Sequence, residues 1–282
     1  MNHSSIQRIL VPLDPSDYST AATLRACDVA KAHYAQVEGL VVLDSPEIRS
    51  YIAPLEMQNW PAVIDAMSSA LEEAKEEIED VEKRFAETCD SLHTTHQEVL
   101  VEGLPPNLIL EASALFDLIV VGLRTFFHFE TRDTPGDSLV KILDRTVTPV
   151  LAVPNSEPAP IKNVVVAYDG SFNSARALRD FVAFAKPFEF NYTLFCADKD
   201  EEHAKHSIES AASYLRSHDI NDFDVVTSTD TAFEALEKEG LLEKADLIVS
   251  GIHSRKFIKD AFVGSFATSL IDYGKVALFL SH

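Results

Sequence analysis

The chain has 282 residues, 46% of them hydrophobic, and carries 45 Asp and Glu against 24 Lys and Arg, a formal net charge of −21. That length and apolar share suit one or two domains with sizeable cores. The charge argues against nucleic acid and anionic membranes, whose binding rests on Lys and Arg, but still allows a small anionic ligand held by backbone amides.

In chain order, RILVPLD (Arg8 to Asp14) is a short β-branched run that predicts a strand buried on both faces. Ser19 to His33 places Ala22, Ala26, Val29 and Ala30 at helical spacing, with Ser or Thr to cap it. Gln36 to Asp44 is a second strand, and Ser45 to Pro61, with Pro46, Pro54 and Pro61, reads as a loop. Ala62 to Leu92 is a long helix whose stretch EEAKEEIEDVEKR is a solvated outer face. HQEVLVE is a third strand, Pro105 to Leu115 a helix with proline allowed at its start, and Phe116 to Gly122 a fourth strand. A loop, a helix over Ser138 to Arg145 and the strand PVLAVP follow.

The same order then begins again. RILVPLDPSDYSTAATLRACDVAKA compares with NVVVAYDGSFNSARALRDFVAFAKP, and DLIVVGLRT with DLIVSGIHS. Two copies are too few and too large for a solenoid, so the expectation is two α/β domains, residues 1–154 and 161–282, joined by the Pro-rich linker PNSEPAPIK. The second copy is shorter, mainly where the first has its Pro-rich loop and long helix; it has a helix around Asp200 to Ser217 instead. Alternating strands and helices predict a doubly wound parallel sheet, with ligands at the carboxyl ends of the strands. That rule points to Asp14 and Asp169 after the first strands and to Gly122 and Gly251 after the fourth.

The second copy has the sharper site. Gly251-Ile-His253-Ser254 is followed by nine residues, RKFIKDAFV, and then by Gly264-Ser265 opening a helix. Gly251 would let the backbone approach a ligand, and the amides at Gly264 and Ser265 would favour a phosphate, with the Ser265 hydroxyl as a further donor. Asp169 would accept hydrogen bonds from a ribose or an adenine amine, and His253, Arg255 and Lys256 supply local polar or positive character. This pattern resembles that of universal stress proteins that bind ATP, which carry Gly-x-x-Gly, nine residues and Gly-Ser/Thr, with Asp after the first strand. Ser254 stands in place of the second Gly.

The resemblance covers nearly the whole chain. It implies the adenine nucleotide alpha hydrolase-like fold in tandem: two five-stranded parallel sheets of strand order 3-2-1-4-5, paired through PVLAVP and VALFL into a pseudo-dimer, with two chains forming a homodimer. It implies ATP or AMP as ligand, with Mg²⁺, held by Asp169, Gly251, Ser254, Gly264 and Ser265.

The first copy is more eroded: Asp14 is followed by Pro, and after Gly122 and Thr125 come ten residues, FFHFETRDTP, before Gly136-Asp137. A carboxylate there repels phosphate, so this copy is expected to bind nucleotide poorly or not at all. The pairs His93/His96 and His203/His206 lack further ligands for zinc and read as surface histidines. No nucleophile elbow, Walker loop or nucleotidyl-transfer signature is present, so no catalytic residue is assigned. Three widely spaced cysteines, Cys27, Cys89 and Cys196, and no apolar leader in MNHSSIQRILVPLD suit a reducing, cytoplasmic setting. The leading expectation is a stress-response protein that switches on adenine nucleotide binding. The second is a nucleotide-free interaction protein docking an unknown protein partner through its acidic helix, and the third a slow ATPase or adenylating enzyme.

Overall fold

The structure, a computed structural model, describes residues 6–44, 60–125, 127, 138–156, 159–253 and 263–282. The first half carries strands β1 (Arg8–Leu13), β2 (Gln36–Leu43), β3 (His96–Glu102), β4 (Leu118–Gly122) and β5 (Val150–Val153). Its helices are α1 (Asp17–His33), α2 (Trp60–Ser91), α3 (Pro105–Ser113) and α4 (Ser138–Arg145). The second half carries β6 (Asn163–Ala167), β7 (Asn191–Ala197), β8 (Phe223–Ser228), β9 (Leu247–Gly251) and β10 (Ala277–Ser281). With them are α5 (Phe172–Ala185), α6 (Glu201–Arg216), α7 (Ala232–Lys238), α8 (Leu241–Lys244) and α9 (Ser265–Tyr273).

The strands form one ten-stranded sheet in the order β3-β2-β1-β4-β5-β10-β9-β6-β7-β8. Each half is parallel and wound 3-2-1-4-5, and the halves meet where β5 and β10 run antiparallel, Phe279 opposite Leu151. A β strand turns successive side chains to opposite faces. In β1 this sends Ile9, Val11 and Leu13 into one core and Leu10 into the other; in β6 it sends Val164 and Val166 one way and Val165 the other. Helices α1, α2, α5 and α6 cover the first face, and α3, α4, α7, α8 and α9 the second. Both cores run unbroken across the two halves, which explains why strands near the junction are apolar on both sides.

Element ends follow local chemistry. Helix α1 begins at Asp17, earlier than the expected Ser19, because Ser16 is the cap; its side chain accepts the Ser19 amide. Helix α2 begins at Trp60, which puts Pro61 in a first turn, where its missing N–H costs nothing. Strand β4 begins at Leu118 rather than Phe116. Asp117 turns aside, and its Oδ2 accepts the amides of Gln7 at 2.8 Å and Arg8 at 3.0 Å. Asp246 does the same in the second half, accepting from Lys162 at 2.9 Å and Asn163 at 2.8 Å. The Asp of each Asp-Leu-Ile-Val repeat is therefore a clamp on the entry of the first strand.

Candidate functional site

The carboxyl ends of β6, β7, β8 and β9 open into a cleft of about 680 Å³, within the range of small-molecule sites. Asp169, Gly251, His253, Gly264 and Ser265 all lie on its wall. Ser254 and Arg255 lie outside the described residues, as do Lys256 and Gly136.

Asp169 is held by a tight turn. Its Oδ1 accepts the Ser171 amide at 3.0 Å, across Gly170 in the left-handed region at φ 74°. Ser171 then caps α5, its Oγ accepting the Ser174 amide at 3.1 Å. A Cβ on Gly251 would lie 2.8 Å from the Asn173 carbonyl carbon and the Ser174 nitrogen. Glycine here admits the first turn of α5, so its need is met by packing before any ligand arrives. The Asn173 amide reaches across to the His253 carbonyl at 3.4 Å.

Gly264 is the N-cap of α9. Its N–H donates to Ile252 O at 2.9 Å, and its carbonyl accepts from Thr268 N at 3.0 Å. Side chains of Ser16, Ser171 and Asp200 cap α1, α5 and α6, whereas among the described residues no side chain caps α9, as is also true of α3 and α7. Among the described residues the first-turn amides of α9 border the cleft without a side-chain cap, and the positive end of the helix dipole faces the same way.

The remaining wall is one that motif reading missed. Asp198 and Lys199 follow β7, and Asp230 follows β8. The rule that ligands sit beyond strand ends could have found them. Asp230 pairs with Lys238 at 2.9 Å, and Asp198 lies 3.1 Å from His203 Nδ1. Cys196 also lines the cleft; burial, followed by the charges of Asp169 and Asp198, pushes its pKa up to about 11, so it stays a neutral thiol. Burial and Asp169 likewise raise the Tyr168 phenol. The His253 ring lies 5.1 Å from that of His282, tilted by 47°, and the Nε2–H of His282 donates to Leu143 O on α4 of the other half. Burial lowers the His282 pKa, and His253 adds to the effect.

In the first half the described residues that match this site are packed inward. Asp14 is 1% exposed, and its Oδ1 accepts both the Ser16 amide at 3.0 Å and the Ser16 hydroxyl at 2.5 Å. Thr125 is buried, its hydroxyl donating to Gly122 O at 3.1 Å. A Cβ on Gly122 would lie 2.4 Å from both Thr125 Oγ1 and Tyr18 Cβ. Phe127 is buried in the core of that face, with Tyr18 packed against it.

The family model for the universal stress protein family matches residues 5–154. The chain belongs to this family. A universal stress protein of Methanocaldococcus jannaschii is 28% identical over 149 residues, 52% of this chain and 81% of that protein. A solved universal stress protein from Archaeoglobus fulgidus matches with a TM-score of 0.70 at 18% identity, covering 99% of this chain and 98% of that one. A Pseudomonas aeruginosa protein of unknown function matches with a TM-score of 0.62 at 14% identity, covering 100% and 94%. Likeness at those identities speaks to the fold. The family match falls on the first half, while the open cleft belongs to the second.

Proposed function

We propose that the second half binds an adenine nucleotide, ATP or AMP, and that binding switches a stress-response or signalling state of a cytoplasmic protein. The observation that carries this reading is the cleft at the carboxyl ends of β6 to β9. It gathers Asp169, Gly251 and the glycine-capped start of α9 in the pattern that resembles ATP-binding universal stress proteins. The amides of Ser265 and its neighbours would hold phosphate, with the Ser265 hydroxyl beside them. Asp169, fixed by its turn, would accept from the ribose or the adenine amine. Asp169, Asp198 and Asp230 make the cleft acidic, so Mg²⁺ carried with the phosphates would offset their repulsion. Among the described residues, no helix is long and apolar enough to cross a membrane.

The test begins by denaturing freshly purified protein and identifying released small molecules by liquid chromatography and mass spectrometry. About one adenine nucleotide per chain is expected, since Asp14 is sealed in the first half. Gly264→Asp should then weaken nucleotide binding at least tenfold without unfolding. Aspartate is a good N-cap, so α9 keeps its start while its amides are taken and a like charge is added. Unchanged binding in that variant would reject the phosphate site. The three cleft carboxylates favour the nucleotide-free interaction protein as second reading; absence of nucleotide even after incubation with Mg-ATP would select it.

A further inference from the structure

Cys27 on α1 and Cys89 on α2 are far apart in sequence, yet their Sγ atoms lie 3.6 Å apart. Both side chains are fully buried, and both are free thiols. The two helices lie side by side on the same face of the sheet, so the contact is built into the packing of the first half. A disulfide bond of about 2.05 Å needs the sulfurs to approach by roughly a further 1.5 Å. Side-chain rotation with a small helix shift supplies movement of that size. We propose that Cys27 and Cys89 form a redox pair that closes to an internal disulfide when a hydroperoxide withdraws two electrons from it.

The chemistry balances in two steps. The Cys27 thiolate attacks the terminal peroxide oxygen and the O–O bond breaks. The leaving oxygen takes up the thiol proton as water or alcohol, and Cys27 becomes a sulfenic acid. Cys89 sulfur then attacks the Cys27 sulfur; the S–O bond breaks, and water departs with the Cys89 proton. Two thiols and one hydroperoxide thus give one disulfide, one water and one further water or alcohol.

The surroundings set the order of the steps. The hydrogen bond shared by the two sulfurs draws one pKa down and pushes the other up, and the neighbours bias which: Thr94 and Lys31 draw Cys27 down against burial and Asp28, whereas burial, Glu98 and Asp90 all push Cys89 up. Cys27 is therefore the thiolate and Cys89 the resolving thiol. Access comes through α2, since Cys89 lies in its last turn before Ser91, and helix ends open locally at low cost. Cys196 supplies an internal contrast: it is held as a neutral thiol on β7, in the other half.

The experiment uses the whole chain with Cys196→Ser, treated with hydrogen peroxide, quenched with catalase, then denatured and alkylated. The expected result is loss of both alkylatable thiols together and an intact mass about 2 Da lower. A non-reducing peptide map should link the Cys27 and Cys89 peptides, at a rate independent of protein concentration and reversed by dithiothreitol. The chain with Cys196 intact, given the same peroxide treatment in parallel, should go from three alkylatable thiols to one, at Cys196, which guards against misfolding of the variant. Two thiols still alkylatable after treatment, a sulfinic acid at Cys27 without a link, or a link only between chains would each overturn the proposal, leaving the pair as core packing.

Discussion

Asp117 and Asp246 hold corresponding places in the two halves, each accepting two backbone amides at the entry to a first strand. The central strand of a parallel sheet begins with amides that no neighbouring strand satisfies, and a carboxylate that accepts two of them fixes the register of β1 or β6. Hydrogen bonds to charged groups contribute about 1.5–3 kcal/mol each when well sheltered, and these are partly solvated. Asp246→Ala should therefore destabilise the protein by about 1–3 kcal/mol in urea unfolding. The loss should be smaller in Asp246→Asn, which keeps one acceptor oxygen; equal losses would show that the carboxylate is no clamp. In the sequence the two aspartates register only as part of a repeat, because nothing local marks an Asp that bonds to a strand distant along the chain.

At the scale of elements, the contrast between helix starts organises the candidate site. α1, α5 and α6 spend a serine or aspartate oxygen on their own first-turn amides, whereas α9 begins at a glycine. Its Gly-Ser start is legible in the sequence, and so is Asp169 after a β-branched run. The role of Gly251 is not. The sequence suggests room for a ligand, yet the close neighbours are Asn173 and Ser174 of α5. Gly251→Ala would drive a methyl group into backbone atoms that have no rotamer to yield. The expected effect is overpacking of about 1–3 kcal/mol, with α5 displaced from β9 and any nucleotide binding weakened indirectly. Calorimetry on the variant decides it, and an unchanged Tm would mean that α5 yields freely.

At the scale of the molecule, the antiparallel β5–β10 junction and the shared cores make the two halves one sheet. Histidines stitch across it. His33 Nε2–H donates to Phe184 O at 2.9 Å, and His282 Nε2–H donates to Leu143 O. Burial lowers both pKa values. The carbonyls oppose the shift, while Lys186 at His33, and His253 and Arg176 at His282, add to it; Asp144 pulls His282 the other way. The native state thus binds fewer protons than the unfolded chain just below the ordinary histidine pKa of about 6.5. The contribution to stability is full above that pH and is lost as pH falls through the lowered values. Tm should drop between pH 7.5 and pH 5.5, and the drop should shrink in the His33→Gln/His282→Gln double variant. A drop of the same size in that variant would remove the histidines as its cause.

By itself the sequence determined the repeat, the alternation of strand and helix, the strand order through its family resemblance, and the residues after β6 and β9 that line the cleft. Those are local or repeated signals, carried by hydrophobic period and turn chemistry. Only the tertiary structure decided that Asp14 is sealed while its counterpart Asp169 faces a cleft. It also decided that Asp198 and Asp230 complete the wall, and that Cys27 meets Cys89. Each of these depends on which helices pack on which face, and such contacts between distant segments leave no mark on either segment alone.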